Sequence, residues 1–373
     1  MLAARAYLKE GRRGTALAEL QAETRRLLSA FEQAGAEQVE PGALLPADLL
    51  LDLYGEDIRA RAYVTDDPVN GEQVLRPDFT VPVVQMHMAG GAEPARCTYA
   101  GPVWRRQEPG SPRPTEYLQV GYEVFGGDDP AAADAEVFAL FSSLLADEPL
   151  RAVTGDIGVL LAAIAALRTT ERRKAALRRH VWRPVRFRRL LDRFSGRVAV
   201  SQSRQRLLAE GRPGGVPLVG LRSAEEIDLR IAVLREEAAT APLSDEEVAR
   251  FDALAELRVP VAAAADALAR LAGDAPELAA AAERLARRSE ALVRLGIDVE
   301  GLVFDAGYGR TTMEYYDGFV FGFEASGRTD LPPIATGGRY DALTRVLGQG
   351  RGVPAAGGII RPEALLSLRA GRS

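Results

Sequence analysis

The apolar positions of the chain change period several times, and each change marks a change of element. Over residues 17–34, Leu17, Leu20, Leu27, Leu28 and Phe31 recur at helical spacing, and Gly35 stands where a helix would stop. Residues 36–55 carry Pro41 and Pro46, so they read as a connection with a short helix rather than a strand. Strand-like runs follow at 58–65, at 74–75 after an Asn70-Gly71 turn, and at 99–103. Asn-Gly between two apolar runs is the strongest short-range hairpin signal. Between the last two runs, Val81, Val84, Gln85 and Met88 suit an amphipathic helix over 79–88.

The stretch 99–125 is two β-branched and aromatic runs around a loop of Arg, Pro, Gly and Ser, the pattern of two antiparallel strands joined by a long polar turn. Strand residues alternate between faces, so Tyr117, Gln119, Gly121 and Glu123 share one side and Leu118, Val120, Tyr122 and Val124 the other. Gln119 and Glu123 on one face, with Gly121 leaving room and Arg105 on the partner strand, suit a small zwitterion. The same pattern equally describes an exposed polar sheet surface.

Downstream, residues 128–147 begin with an Asp-Pro helix start, and 149–158 read as a strand. Residues 160–296 shift to Ala, Leu, Arg and Glu, a helical block interrupted near 211–220 and 239–247, the second with a capping box from Ser244 to Glu247. Strands return at 301–309 and 319–327. Gly337-Gly338 then reads as a turn into a helix through Tyr340, Leu343, Val346 and Leu347, and a Gly-rich strand leads to a closing helix from Pro362. The pattern divides the chain into 1–170, a mainly helical insertion at 171–296, and 297–373.

Composition narrows the chemistry. Across 373 residues the formal charge is −5, which gives no global argument for nucleic-acid binding. One cysteine, Cys97, excludes a disulfide framework, and the absence of a secretory signal points to the cytoplasm. No apolar run approaches the roughly 20 residues of a membrane span. With only His87 and His180, a zinc site or a Cys/His catalytic pair has almost no raw material. The basic stretch 170–194 suggests RNA, yet stacking aromatics are sparse and neighbouring segments are acidic, which favours a solvated helix face. Gly348, Gly350 and Gly352 follow a helix rather than a strand and are not a dinucleotide fingerprint.

Six segments in order carry a family resemblance: LRPDFT at 75–80, GPVWRR at 101–106, EYLQVGYEVFG at 116–126, DAE at 134–136, YYDGFVF at 315–321 and GGRYDAL at 337–343. Together they resemble histidyl-tRNA synthetase. The resemblance implies an α+β fold, the class II aminoacyl-tRNA synthetase core, with an antiparallel sheet flanked by helices and a helical insertion. It also implies a histidine pocket in which Asp78 and Thr80 hold the ammonium group, Gln119 and Glu123 extend the polar lining, and Tyr315 or Tyr316 walls the imidazole. Adjacent strand residues face opposite ways, so one tyrosine of the pair is expected in the core. Asp78 is one carbon shorter than the family's glutamate, and Phe79 replaces a glycine.

Adenylation in that family uses arginines on the phosphates. Arg105 matches one of them and is either part of a carboxylate clamp or a structural ion pair. Thr311 and Ala364 occupy the positions of two others, and Gln107 replaces an acid at the adenine end. Arg310 is one residue from Thr311, which on a strand is the opposite face, and Arg361 stands three residues before Ala364. No anticodon-binding domain is expected, since only about ten residues follow Ala364. In these departures, and in FDAGYGRTTMEYYDGFVF, the chain is similar to the regulatory subunits of ATP phosphoribosyltransferase (HisZ). That family implies no chemistry of its own and no cofactor. It implies a homodimer assembled with the short catalytic subunit (HisG), and feedback inhibition by histidine in histidine biosynthesis. The alternatives are a truncated synthetase-like enzyme that activates an amino acid with ATP, and an RNA-binding relic; transfer RNA is not an expected partner.

Overall fold

The computed structural model describes residues 12–49, 61–108, 110–111, 113–212, 214–215, 218–311 and 315–371. In chain order its strands are β1 (Glu37–Gln38), β2 (Leu44–Pro46), β3 (Val64–Asp67), β4 (Gly71–Leu75), β5 (Ala95–Trp104), β6 (Glu116–Phe125), β7 (Leu150–Asp156), β8 (Arg258–Pro260), β9 (Val303–Asp305), β10 (Phe319–Ala325), β11 (Ala335–Arg339) and β12 (Ala355–Ile360). Among the described residues, nine of these form one sheet in the order β1-β5-β6-β12-β11-β10-β7-β9-β8, and β2-β4-β3 form a smaller one. The pairings are antiparallel except β1 with β5 and β7 with β9. The hairpin expected at 99–125 is β5 and β6, registered from Ala95 opposite Phe125 to Trp104 opposite Glu116.

One face of the large sheet is closed by the helices Gly14–Gln33 and Pro130–Leu144. Phe31 and Phe141 pack together, Phe31 stacks on Tyr122 at 5.3 Å between ring centroids, and Phe138 packs on Phe319, Phe321 and Phe323. The second helix starts where Asp-Pro places it, with the Asp129 side chain accepting from the N–H groups of Ala131 and Ala132. The opposite face of β5, β6 and β12 carries Tyr99, Gln119, Gly121, Glu123 and Gly357, and is the subject of the next subsection.

Several elements differ from the sequence reading. The segment 36–55 contains β1 and β2, because the Pro at 46 sits at the end of a short strand; its residues 50–55 lie outside the described set, as does 58–60 of the strand expected at 58–65. Gly337 and Gly338 are not a turn but the middle of β11. A Cβ on Gly337 would overlap the Phe321 ring and the Gly357 carbonyl, and one on Gly338 would meet Tyr316 and the Phe319 carbonyl. These glycines serve close approach on both faces rather than chain reversal. Within the helical block, β8 joins the sheet edge beside β9.

The long helix Pro276–Arg294 is fastened to the sheet by charge. Arg288 donates from Nε to Asp134 Oδ2 at 2.9 Å and from Nη1 to Asp156 Oδ2 at 2.8 Å. Arg339 donates to the other oxygen of Asp134 at 2.9 Å and to Asp341 Oδ1 at 2.9 Å. All but Asp341 are buried, and the low dielectric makes each unpaired member costly. Arg288→Ala, which leaves Asp156 without its guanidinium and Asp134 with Arg339 alone, is expected to lower unfolding free energy by about 3 kcal/mol in urea titration. Arg168→Ala, which removes an exposed ion pair with Asp274, is expected to leave the urea midpoint within error.

Candidate functional site

The site begins with an isolated charge. Glu123 on β6 is fully buried, and the strand beneath leaves room for it because β12 has glycine opposite: a Cβ on Gly357 would overlap the carboxylate. Three hydroxyls converge on the group. Thr80 donates to Oε1 at 3.1 Å, Tyr99 to the same oxygen at 2.7 Å, and Tyr340 to Oε2 at 2.6 Å. Burial pushes the Glu123 carboxyl up to about 7, opposed by the hydrogen bonds from Tyr340, Tyr99 and Thr80 and assisted by nearby Asp78. The group thus stands half protonated near neutral pH, an acceptor or donor according to what it meets.

Around it the sequence-predicted residues converge. Thr80 opens the helix Thr80–Met88, and its hydroxyl accepts from Tyr315 at 3.2 Å. Asp78, also buried, accepts weakly from the Val81 N–H and lies 3.7 Å from an Arg105 nitrogen, while Arg105 Nε donates to the Pro77 carbonyl at 2.7 Å. Gln119 shares the face of Glu123, is 1% exposed, and its Oε1 has no hydrogen-bond partner in the structure. The expectation that Tyr315 and Tyr316 point opposite ways does not hold. Their segment is not a strand, and the two rings lie 4.6 Å apart on the same side, both close to Tyr340. Burial raises the phenol pKa of each, and the nearby carboxylates add to the shift.

Two tyrosines, Tyr99 and Tyr340, belong to this cluster and were not singled out by sequence. Tyr99 stands opposite Gly121, whose missing side chain lets the ring lie across β6, and Phe79 stacks on that ring at 4.5 Å. Phe79, in the place of a glycine, therefore roofs Gly101 under the Arg76 guanidinium, 3.9 Å from its ring centroid. A Tyr opposite a strand glycine was a usable signal; Tyr340, which follows a strand two places away in the sheet, had none.

Three positions where the resemblance expects phosphate- and adenine-binding charge hold neutral side chains. Ala364 is buried in the last helix, Thr311 is exposed, and Gln107 spends its amide on the carbonyls of Arg105 and Pro114 at 3.4 and 3.2 Å. Arg310 turns to the helical block, donating to the Val181 carbonyl at 3.0 Å over the Phe187 ring. Among the described residues no group of three His, Cys, Asp or Glu is arranged to hold a metal, and no helix is long and apolar enough to cross a membrane.

Because the folded-state pKa of Glu123 is raised above the unfolded value of 4.5, the fold binds that proton more tightly than the unfolded chain. Its contribution is favourable at low pH and is lost as pH rises from 4.5 through about 7. Relative to Glu123→Gln, the wild-type unfolding free energy is expected to fall by on the order of 3 kcal/mol across that window, measured by chemical denaturation at stepped pH.

The chain matches the model of the histidyl-tRNA synthetase family over residues 15–209 and 228–365. An ATP phosphoribosyltransferase regulatory subunit from Brucella anthropi is 32% identical over 354 residues, covering 89% of this chain and 93% of that protein. One from Mesorhizobium japonicum is 33% identical over 361 residues, covering 91% and 95%. Among solved structures, a Bacillus halodurans protein described as an ATP phosphoribosyltransferase regulatory subunit/histidyl-tRNA synthetase superposes with a TM-score of 0.68 at 22% identity, covering 97% of this chain and 83% of that one. A histidine–tRNA ligase subunit from Alicyclobacillus acidocaldarius gives 0.62 at 24% identity, covering 99% and 97%. The fold is that of the class II synthetase core, and the chain belongs to the histidyl-tRNA synthetase-like family of ATP phosphoribosyltransferase regulatory subunits.

Proposed function

We propose that this chain is the non-catalytic regulatory subunit of an ATP phosphoribosyltransferase, that it assembles with the short catalytic subunit, and that histidine acts as feedback effector through the Glu123 pocket. The observation that carries the reading is a cluster rich in acceptors beside three positions where the charge that adenylation uses is replaced by neutral side chains. Glu123, Asp78 and the free Oε1 of Gln119 suit an ammonium and an imidazole, while Thr311, Ala364 and Gln107 stand where adenylation requires charge. The names of relatives that align along about nine-tenths of the chain support the same assembly.

The physical role follows from linkage. A ligand that fits one arrangement of an assembly better than another shifts the equilibrium between them by its difference in affinity and no more. A ligand whose N–H groups compete with the hydroxyls of Thr80, Tyr99 and Tyr340 for Glu123 would reorder those side chains and so supply that difference. A symmetric dimer of this chain within the larger assembly is part of the proposal.

Mixing the chain with a short catalytic subunit is expected to switch on phosphoribosyl transfer, and added histidine is expected to suppress it. The chain alone is expected to show no histidine-dependent exchange of pyrophosphate into ATP; measurable exchange would sink the regulatory reading and favour an amino-acid-activating enzyme. In the mixture, Gln119→Ala is expected to raise the histidine concentration for half inhibition about tenfold, the worth of one or two buried hydrogen bonds.

A further inference from the structure

Arg361 is a cation that the pocket's acceptors do not account for. Judged by its distance from Ala364 along the sequence, it stands too early to face the site. The strand register places it otherwise. β12 runs antiparallel to β6 with Ile359 opposite Gly121 and Ile360 opposite Val120, so the next residue falls beside Gln119, on the face of Glu123 and Gly121. Its backbone continues the pattern, the Arg361 N–H donating to the Ile334 carbonyl at 2.9 Å. The side chain stays on that face: Nη1 donates to the Pro333 carbonyl at 2.7 Å, and Nη2 reaches Thr336 Oγ1 at 3.4 Å, Thr336 being the residue opposite Ile359.

The guanidinium has the wrong company for a structural ion pair. Its partners among the described residues are the Pro333 carbonyl and the hydroxyls of Thr336 and Tyr117, and no carboxylate is among them. Burial lowers its pKa, Tyr117 opposes the shift, and Arg105 pushes in the same direction as burial. Arg288 and Arg339 each carry carboxylate partners, whereas Arg76 and Arg310, which meet carbonyls, each also lie against an aromatic ring. A desolvated cation beside a second cation is costly unless an anion joins them, and hydrogen bonds to neutral oxygens offset only part of that. Next to it in the same row, Gln119 Oε1 is a buried acceptor without a donor. Cation and unfilled acceptor side by side match a ligand that brings an anion and an N–H together.

We propose that Arg361, with Arg105, forms an oxyanion subsite at the edge of the Glu123 pocket. For an amino-acid ligand the oxyanion is the α-carboxylate, held by the two guanidiniums, while the ammonium meets Gln119 Oε1 and Asp78 and the side chain runs toward Glu123. This assignment deepens the histidine reading above and rests on it for the identity of the ligand. The guanidinium geometry alone also accepts a phosphate oxygen. The role that Thr311 and Ala364 no longer offer is thereby met from a different position of the fold, by an arginine suited to binding rather than to phosphoryl chemistry.

The test is calorimetry of the full chain with three probes: histidine, histidine amide, which keeps the shape but lacks the negative charge, and inorganic phosphate. Arg361→Gln retains a donor for the Pro333 carbonyl, and Arg361→Lys restores the charge should the neutral variant fail to fold. The wild type is expected to prefer histidine to its amide by about tenfold or more. In Arg361→Gln that ratio is expected to fall close to one while affinity for the amide stays as in the wild type, and in Arg361→Lys it is expected to recover in part. A ratio unchanged by Arg361→Gln overturns the proposal, as does a wild type that binds histidine and its amide equally and binds no phosphate. If the wild type binds neither amino-acid probe but takes phosphate in a way that Arg361→Gln abolishes, the oxyanion subsite stands and the histidine reading falls.

Discussion

The arrangement depends on how closely the sheet lets other groups approach one of its faces. At four adjoining positions the side chain is missing. Gly121 lies under Tyr99, Gly357 under the Glu123 carboxylate, Gly338 under Tyr316 and Gly322 under Tyr308. With any Cβ at these places the rings would stand off the strands, and the hydroxyls of Tyr99 and Tyr340 would not reach Glu123. The glycines weaken the strands they sit in, and the dense aromatic packing on the opposite face, Phe31, Phe138 and Phe141 against Tyr122 and the β10 phenylalanines, offsets that loss.

Charge on this framework is sorted into two kinds. The buried arginines that tie helices to the sheet, Arg288 and Arg339, meet carboxylates with good geometry and hold the helix Pro276–Arg294 and the start of the helix after β11 in register with β7 and β11. On the glycine face the balance differs. Glu123 has hydroxyls for partners, and Arg361 has a carbonyl and the hydroxyls of Thr336 and Tyr117. Buried ionisable groups whose partners are all neutral, gathered on one face, are the kind of feature that binding sites concentrate.

The sequence by itself determined the elements and the local faces. Period-2 alternation in β6 set Gln119 with Glu123, Asp129-Pro130 set a helix start, and the insertion showed in its Ala, Leu, Arg and Glu content, because each of these signals acts over a few neighbouring residues. The family resemblance drew Asp78, Thr80, Arg105, Tyr315 and Tyr316 into one list without stating how they meet. Tertiary structure decided the rest. It turned Gly337-Gly338 from a supposed turn into a strand, since only the packing of Phe321 and Tyr316 reveals that a Cβ has no room. It put both Tyr315 and Tyr316 on one side, since their segment is not extended. It brought Tyr340 to Glu123 and Arg361 to Gln119, since the order β6-β12-β11 makes neighbours of residues more than two hundred positions apart, and no local pattern encodes which strand lies beside which.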